Sequence, residues 1–264
     1  MTAADEIPLS GGTQNTVVRC GDTVRRRPGP WTPAVHDLLR HVRRAGFDLA
    51  PEPLDFDEQG REVLRYIEGD TVGWALPWPD WLRTDQLLDD VGRALARYHN
   101  AAAGFAATGA RWQSGPPATM SGTPLIAHND VAPYNIVAAG GRLAGLIDWD
   151  LAGPGTARAD LAFAAWQWVP LHGPFVTSLM GWDGSDRRER LHLLLETYGA
   201  EADVDWGTAD HFIDAVVERV GYNRSVMLER AAAGDPAYQA LVDQGHIGGM
   251  DEALGFLAGE GRSL

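Results

Sequence analysis

The stretch that decides the fold is residues 125–150, LIAHNDVAPYNIVAAGGRLAGLIDWD. Two apolar runs flank Gly140-Gly141, and a glycine pair between such runs predicts a β-hairpin with a two-residue turn. In a turn of that length Ala139 pairs with Arg142, and the remaining pairs follow by counting outward along the strands. The hairpin therefore predicts which side chains of the stretch share one face of a two-stranded sheet.

Asn135 and Asp148 are predicted to share a face of this hairpin. In the expected register Asn135 lies opposite Leu146, and Asp148 lies opposite Pro133. Opposite residues and residues two apart share a face, so Asn135 and Asp148 become diagonal neighbours about 7–8 Å apart at the backbone. An amide oxygen and a carboxylate at that separation can hold a hard cation. Mg²⁺ fits because it takes few protein oxygens and completes its shell with water and phosphate.

Asp130 is the candidate catalytic residue of the same stretch. Pro133 prevents a continuous helix between Asp130 and Asn135, so the segment is predicted to be a tight loop. Such a loop can direct the carboxylate of Asp130 to the space in front of the metal, where it can orient a substrate hydroxyl and accept its proton. Taken singly, each acidic or amide residue here fits a solvated turn. Their joint spacing on one sheet face favours a catalytic site.

Length and composition limit the classes of protein. The chain has 264 residues, 45% of them hydrophobic, and a formal net charge of −14. This charge disfavours non-specific binding to nucleic acid or to anionic lipid. With no long apolar run, no signal-like N-terminus and the single cysteine Cys20, the sequence predicts a cytoplasmic protein without disulfides. All 22 basic residues are Arg, so chemistry that elsewhere uses Lys must use Arg here.

Two regions are predicted on either side of a boundary near residue 73. Residues 1–72 are expected to form strands with one helix, and residues 73–264 a mainly helical region that contains the hairpin; by the resemblance of the 125–150 stretch to a known family, these are the N-terminal nucleotide-binding lobe and the C-terminal catalytic and substrate-binding lobe. The periodicity predicts strands at 16–19, 23–25 and 62–67 and helices at 33–45, 84–99, 188–198 and 209–233. Residues 73–79, with two Trp and two Pro, are expected to link the regions.

The 125–150 stretch resembles the catalytic and metal-binding segment of the aminoglycoside phosphotransferase-like family of small-molecule kinases, which includes choline kinases. The resemblance implies a two-lobed, protein-kinase-like α+β fold, with Asp130 as catalytic base and Asn135 and Asp148 as Mg²⁺ ligands. It implies that His128 is a buried orienting residue. It also implies that Asp160, in Asp-Leu-Ala, braces the catalytic loop, although a helix N-cap explains Asp160 equally well.

Asn129 stands where the antibiotic kinases of this family commonly have Gly. Choline and ethanolamine kinases often have Asn at this position. The residue therefore does not separate the two subfamilies.

A glycine-containing turn near the N-terminus is the expected phosphate contact. Gly11, Gly12 and Thr13 lie between two predicted strands and can place backbone N–H groups and a hydroxyl over phosphates. A plain hairpin turn explains the same residues, so the catalytic stretch downstream is what favours the nucleotide interpretation.

Arg25 is the expected replacement for the lysine that the family presents to the nucleotide phosphates. Arg can bind phosphate through two parallel hydrogen bonds, so the replacement is chemically sound. Arg26 and Arg27 are solvated alternates, because neighbours on a strand point to opposite faces. The helix glutamate that usually pairs with the basic residue is not evident, and His36 and Asp37 stand in that region.

The strand that ends at residue 67 resembles the connection between the lobes of a kinase. The backbone of Tyr66, Ile67 and Glu68 is expected to bind the purine edge of the nucleotide. Backbone recognition does not separate ATP from GTP.

The acceptor is expected between the catalytic loop and the C-terminal helices. The candidate contacts are polar or aromatic residues, and core packing is the competing explanation for each aromatic one: Asp150, Trp166, Trp168, Trp182, Asp183, Tyr222 and Arg224.

The predicted function is Mg²⁺-dependent transfer of the γ-phosphate of ATP or GTP to a hydroxyl of a small molecule. An antibiotic is the first choice, either an aminoglycoside or a sugar-bearing nucleoside or macrolide. The alternatives are a metabolic kinase for choline, ethanolamine or a sugar, and a nucleotide-binding pseudoenzyme. No nucleic-acid or membrane partner is expected, and a homodimer is compatible with the sequence.

Overall fold

The N-terminal part of the chain folds into a five-stranded antiparallel sheet in a computed structural model. The structure describes residues 6–9, 17–73, 76–106, 109–113, 122, 124–204, 206–207 and 209–263. The strands are β1 (Glu6–Pro8), β2 (Val18–Cys20), β3 (Thr23–Arg26), β4 (Pro53–Phe56) and β5 (Glu62–Arg65), in the order β1-β2-β3-β5-β4. The predicted β2–β3 hairpin is confirmed, and Gly21 in its turn has a φ of 62°. The edge strand β4 was not predicted, because it is short and begins with a proline.

One helix, α1 (Thr32–Arg44), packs on this region and matches the predicted 33–45. Pro33 lies in its first turn, where a missing N–H costs nothing. Its buried face carries Val35, Leu38 and Val42, which join the main hydrophobic core. This packing fixes the side chains of α1 relative to the neighbouring strands.

The rest of the chain is mainly helical. Its helices are α2 (Asp85–Ala102), α3 (Ala157–Trp168), α4 (Pro174–Leu179), α5 (Arg187–Ala202), α6 (Ala209–Ala232), α7 (Pro236–Asp243) and α8 (His246–Ala258). Helix α2 packs along α5, and α3 packs on α6. Helices α4 and α8 were not predicted. None of the described helices has the length and apolar character needed to cross a membrane.

Two small sheets interrupt the helices. Strand β6 (Pro124–Ala127) pairs with β9 (Gly153–Thr156), and β7 (Ile136–Ala139) forms the predicted hairpin with β8 (Arg142–Leu146). Gly140 and Gly141 have φ values of 60° and 77°, which a two-residue hairpin turn requires at both central positions.

The register of the hairpin differs from the prediction by one residue. Ala139 pairs with Arg142 as expected, but a β-bulge follows, so that Ile136 pairs with Leu146. The N–H of Ile147 donates to the carbonyl of Asn135 at 2.9 Å, and the predicted pairing of Asn135 with Leu146 is therefore wrong. A tertiary contact accompanies the shift: the N–H of Leu146 donates to the carbonyl of Leu49 at 2.8 Å.

The segment after β5 is attached to the catalytic hairpin. Asp70 and Ala138 exchange two backbone hydrogen bonds, of 2.7 and 2.9 Å. Gly69 allows this approach, because a Cβ there would lie 2.4 Å from the carbonyl oxygen of Ala138. The five-stranded sheet and the hairpin are thus held in a defined relation. The boundary near residue 73 stays a prediction.

Candidate active site

Asp130, Asn135 and Asp148 line the same cavity, whose volume is about 1080 Å³. Asp130 and Asn135 come from the loop between β6 and β7, and Asp148 comes two residues after the end of β8. The cavity is bounded on one side by the N-terminal sheet region and on the other by the C-terminal helices. The structure therefore brings together the three oxygen-bearing side chains that the sequence singled out.

Asp148 reaches this cavity through its backbone conformation and not through regular strand alternation. The bulge in β8 would turn Asp148 away from Asn135 if the strand continued. Instead, Asp148 adopts a left-handed conformation with φ 58° and ψ 67°. Asp tolerates this region better than most residues, but a non-glycine residue there still costs about 1–2 kcal/mol. The side chain is about half exposed and faces the cavity.

The amide of Asn135 is oriented by Asp130. Its Nδ2 donates to the backbone carbonyl of Asp130 at 2.9 Å and to Oδ2 of Asp130 at 2.7 Å. Because the amide nitrogen is engaged with Asp130, the amide oxygen is the atom that a cation would contact. With the carboxylate of Asp148 it forms a set of hard oxygen donors, which suits Mg²⁺.

Asp130 has the acidity of a general base that works near neutral pH. Burial and the nearby charge of Asp148 raise the pKa of Asp130 to about 7, although the hydrogen bond from Asn135 opposes the shift. A base with a pKa near the working pH combines the ionised state with sufficient basicity. Position and acidity both allow Asp130 to accept a hydroxyl proton.

Asp160 in α3 holds the backbone of the catalytic loop. Its carboxylate accepts hydrogen bonds from the N–H groups of His128 (2.9 Å) and Asn129 (2.8 Å) and from Nε2 of His99 (3.0 Å). Burial opposes its charge, yet the hydrogen bond from His99 and the nearby positive groups keep the pKa of Asp160 below its usual value. The helix cap is Thr156, which accepts from Ala159, so the N-cap interpretation of Asp160 is wrong.

Removal of this brace should destabilise the whole chain. Asp160→Ala leaves two backbone donors and His99 without their acceptor in a buried site. We expect the free energy of unfolding to fall by about 3–5 kcal/mol in denaturant titrations. Asp37→Ala is the matched control, because Asp37 is exposed with one surface ion pair, and about 0–1 kcal/mol is expected there. An equal fall in the free energy of unfolding for both variants would contradict the proposed role of Asp160 in holding the loop.

Asn129 and Arg219 support the loop from the other side, and the sequence analysis did not identify Arg219. Asn129 has a left-handed φ of 68°, which Gly and Asn adopt most readily. Arg219 of α6 is buried and donates to the carbonyl of Asn129 at 2.8 Å. Its charge also acts to lower the pKa of Asp130. The available signal was an Arg on the apolar stripe of α6 that contains Val216 and Val220.

His128 lies beside the catalytic loop, with its ring centroid 4.4 Å from that of Trp149. The side chain is fully buried, and this burial lowers the pKa of His128. A neutral, buried ring agrees with an orienting role, which stays a prediction.

Arg26, and not Arg25, points to the cavity. Strand alternation sends the guanidinium of Arg25 to the other face of β3, where it lies 3.8 Å from Asp57. Arg26 donates to Asp148 at 3.2 Å and to Asp150 at 2.6 Å. The choice of Arg25 is therefore wrong in placement, and the residue assigned as a solvated alternate occupies the site.

The acidic partner of Arg26 comes from a strand. Glu62 of β5 pairs with Arg26 across the sheet and accepts a hydrogen bond from its Nε. His36 of α1 contacts the second oxygen of Glu62, with 2.9 Å between Nε2 and Oε2. Burial opposes the charge of Glu62, but the hydrogen bond of His36 and the charge of Arg26 lower its pKa. Asp37 instead lies on the surface, 3.5 Å from Arg40.

The predicted purine contacts lie apart from the cavity lining. Arg19 stacks over the ring of Tyr66 at 3.8 Å and forms an ion pair with Glu68. Ile67 packs against Gly145. Contact of these residues with a purine stays a prediction. Gly11, Gly12 and Thr13 lie outside the described residues.

Three of the predicted acceptor contacts line the cavity, and four do not. Asp150, Trp166 and Tyr222 line it. The predictions for the other residues are wrong in placement, because each has a different structural role. Trp168 donates its indole N–H to Val131 in the core, Trp182 is buried beneath Arg190, Asp183 accepts from Ser178 on the surface, and Arg224 pairs with Asp251.

The buried His172 predicts a pH dependence of stability. Burial, together with the charge of Arg187, lowers the pKa of His172 to about 3. Between this value and the unfolded value of about 6.5, only the unfolded chain binds the proton, so the free energy of unfolding rises with pH.

We expect His172→Gln to remove this contribution, which is at most about 1.4 kcal/mol per pH unit inside that window. Denaturant titrations at about pH 4.5 and about pH 8 measure it. The variant should lose less stability on acidification than the wild type, and equal losses would disprove the assignment.

Solved structures with the same fold are small-molecule kinases. A choline/ethanolamine kinase family protein from Mesorhizobium loti has a TM-score of 0.61 at 16% identity, covering 98% of this chain and 93% of its own. The GDP complex of aminoglycoside 2′-phosphotransferase-IIIa has a TM-score of 0.58 at 16% identity, covering 100% and 94%. A macrolide 2′-phosphotransferase from Brachybacterium faecium has a TM-score of 0.54 at 15% identity, covering 96% and 91%. Together with the observed architecture, these likenesses define a two-lobed, protein-kinase-like fold.

Sequence comparisons identify the family. A family model described as the phosphotransferase enzyme family matches residues 106–194. The trifolitoxin immunity protein of Rhizobium leguminosarum bv. trifolii is 36% identical over 218 residues, 81% of each chain. The chain belongs to this phosphotransferase enzyme family and is a small-molecule phosphotransferase. The predicted family, fold class and enzyme class are confirmed.

Proposed function

We propose that this enzyme transfers the γ-phosphoryl group of ATP or GTP to a hydroxyl of a small-molecule antibiotic and so inactivates the antibiotic. The observation that carries the proposal is the convergence of Asp130, Asn135 and Asp148 on one cavity beside Arg26. The antibiotic part is supported by the name of the immunity-protein relative and by the resistance phosphotransferases that share the fold.

Each residue of the site has a defined part in the proposed reaction. Asn135 and Asp148 would hold Mg²⁺, which when bound neutralises phosphate charge. Arg26 would contact the phosphates as the replacement for lysine. Asp130 would orient the acceptor hydroxyl and take its proton, so that oxygen attacks phosphorus directly and the nucleoside diphosphate leaves. Positioning and electrostatics would provide most of the catalysis.

The two regions of the chain would have separate parts in the proposed reaction. Residues 1–72 would form the nucleotide-binding lobe and residues 73–264 the catalytic lobe. Gly11, Gly12 and Thr13 would cover the phosphates, and the backbone of residues 66–68 would bind the purine. We propose a cytoplasmic location, where nucleotide is supplied, and a homodimer is compatible with the site.

A mass-spectrometric screen tests the proposed function. Purified enzyme is incubated with Mg²⁺, either nucleotide, and a panel of natural-product antibiotics, choline, ethanolamine and sugars. The gain of one phosphoryl group by an antibiotic, lost when Mg²⁺ is chelated, is the expected result. Transfer to choline, ethanolamine or a sugar alone would establish a metabolic kinase. Nucleotide binding without transfer to any compound would establish a pseudoenzyme.

A further inference from the structure

One end of the cavity has a distinct chemistry. We call the cavity residues at positions 163–252 the acceptor end; they come from α3, α4, α6, α7, α8 and the segments beside them. All of these positions are described in the structure. Most of the lining surface of the whole cavity is apolar, and the larger apolar side chains of the acceptor end are Phe163, Phe175, Leu179, Met227, Leu241 and Met250. Phe175 and Leu179 are 72% and 49% exposed, so this end presents an open apolar surface.

Carboxylates are scarce at the acceptor end. Glu252 is the one acidic residue among its described lining residues, and it already accepts the backbone N–H of Phe175 at 3.1 Å. Arg219 contributes a positive charge. A molecule with several ammonium groups would lose water here without gaining anionic partners, which is costly. The net charge of −14 is therefore not concentrated at the acceptor end, and the other carboxylates of the cavity, those of Asp130, Asp148 and Asp150, lie in its catalytic part.

Two buried polar atoms at this end have no protein partner. Nε1 of Trp166 and Nε2 of His172 are both buried, and neither has a hydrogen-bond partner among the described residues. The two rings lie together, with centroids 5.1 Å apart, and both line the cavity. A buried polar atom without a partner costs about 1–3 kcal/mol. Because these two atoms belong to side chains that line the cavity, a ligand oxygen that reached them would recover that cost.

The form of His172 fits a neutral partner. Burial keeps its imidazole uncharged at neutral pH, since it lowers the pKa to about 3. Trp166 can only donate a hydrogen bond, through its indole N–H. A hydroxyl oxygen suits this pair, because it can accept the indole N–H and can either accept from or donate to the neutral imidazole, whichever nitrogen carries the proton.

We infer that the acceptor is an uncharged, hydroxyl-bearing molecule with a mainly apolar surface, whose oxygen atoms bind Trp166 and His172. Its apolar part lies on the surface formed by α4 and the C-terminal helices. A polycationic aminoglycoside fits this end poorly, because Glu252 is the one carboxylate that its ammonium groups would meet among the described residues there. This inference rests on the proposed function, because it assumes that the phosphate acceptor occupies this end of the cavity.

Direct binding is the test, because it measures ligand affinity at the acceptor end without requiring phosphoryl transfer. Calorimetry with wild-type enzyme, Mg²⁺ and a non-hydrolysable ATP analogue compares uncharged macrolactones and hydroxylated polyketides with polycationic aminoglycosides. We expect binding from the uncharged set only. Binding by the polycations alone, or by neither set, overturns the inference. Uncharged compounds that bind but never gain phosphate would contradict the proposed function, while still supporting an uncharged ligand at this end of the cavity.

A pair of tryptophan variants locates the contact. Trp166→Phe removes the indole N–H and keeps most of the ring, so we expect about 10-fold weaker binding of the uncharged compound, the cost of about one hydrogen bond. Trp182→Phe is the matched control, because Trp182 is also buried with an unpartnered Nε1 but does not line the cavity. Nucleotide affinity should be unchanged in both. Equal effects of the two variants on the uncharged compound would overturn the contact.

Discussion

Asp130→Asn should lower the rate of phosphoryl transfer by about 10²–10⁴-fold, the usual contribution of a positioned acid or base. The reason is that an amide in place of the carboxylate can contact the acceptor hydroxyl but cannot take its proton. Nucleotide affinity should change little, because the side-chain oxygen of an Asn at position 130 can still accept the hydrogen bond that orients Asn135. Single-turnover transfer and nucleotide binding, measured on the same preparation, separate the two effects.

The same variant should not lose stability. Burial and the charge of Asp148 raise the pKa of Asp130 to about 7, so the native site disfavours the carboxylate at and above neutral pH. An uncharged Asn removes that cost, and the melting temperature should stay equal or rise. Asp183→Asn is the control, because that exposed carboxylate lies outside the cavity. Full activity of Asp130→Asn would refute the assignment of Asp130 as the base.

Arg26→Ala should lower transfer by about 10²–10³-fold, as removal of one electrostatic donor at a reacting oxygen does in other enzymes. Arg26 is the basic residue of β3 that faces the cavity, and it contacts Asp148 and Asp150. Part of this loss in transfer should come from a lower affinity for the nucleotide. Stability should also fall by about 3–5 kcal/mol, because the buried Glu62 loses its cationic partner.

Two further variants keep the Arg26 prediction testable if the alanine variant unfolds. Arg26→Lys retains the charge but cannot bridge three carboxylates, so a folded enzyme with an intermediate loss is expected. Arg25→Ala is the matched control, since the neighbouring guanidinium faces Asp57 on the other side of the strand. Nearly full activity of Arg25→Ala is expected. A larger loss in Arg25→Ala than in Arg26→Ala would reverse the assignment.

The hairpin of β7 and β8 was predictable because its signal is local. The glycine pair allows only a tight turn, and this turn set the Ala139–Arg142 pair correctly. The bulge that follows was not predictable from the local sequence, and in the structure it occurs beside a hydrogen bond between Leu146 and the distant Leu49. Asp148 nevertheless reached the expected cavity, through a left-handed backbone that spacing alone does not reveal.

The choice of Arg25 over Arg26 and Arg27 as the phosphate contact failed for a related reason. Alternation along a strand states that Arg25 and Arg26 face opposite ways, but it does not state which face meets the cavity. That depends on how the sheet packs against the hairpin. Glu62 and His36, which contact one another and reach Arg26, also come from separate elements.

The sequence by itself grouped Asp130, Asn135 and Asp148, because short-range spacing and turn chemistry place them together. The resemblance of the same stretch to a known family indicated the family and the fold class. Only the tertiary structure decided that Arg26 enters the cavity, that Glu62 and His36 support it, that Arg219 reaches the loop at Asn129, and that Trp168 and Trp182 belong to the core. These arrangements depend on contacts between residues that are distant in the sequence, such as Arg26 and Asp148. Packing of the folded core brings such residues together, and the local sequence pattern does not.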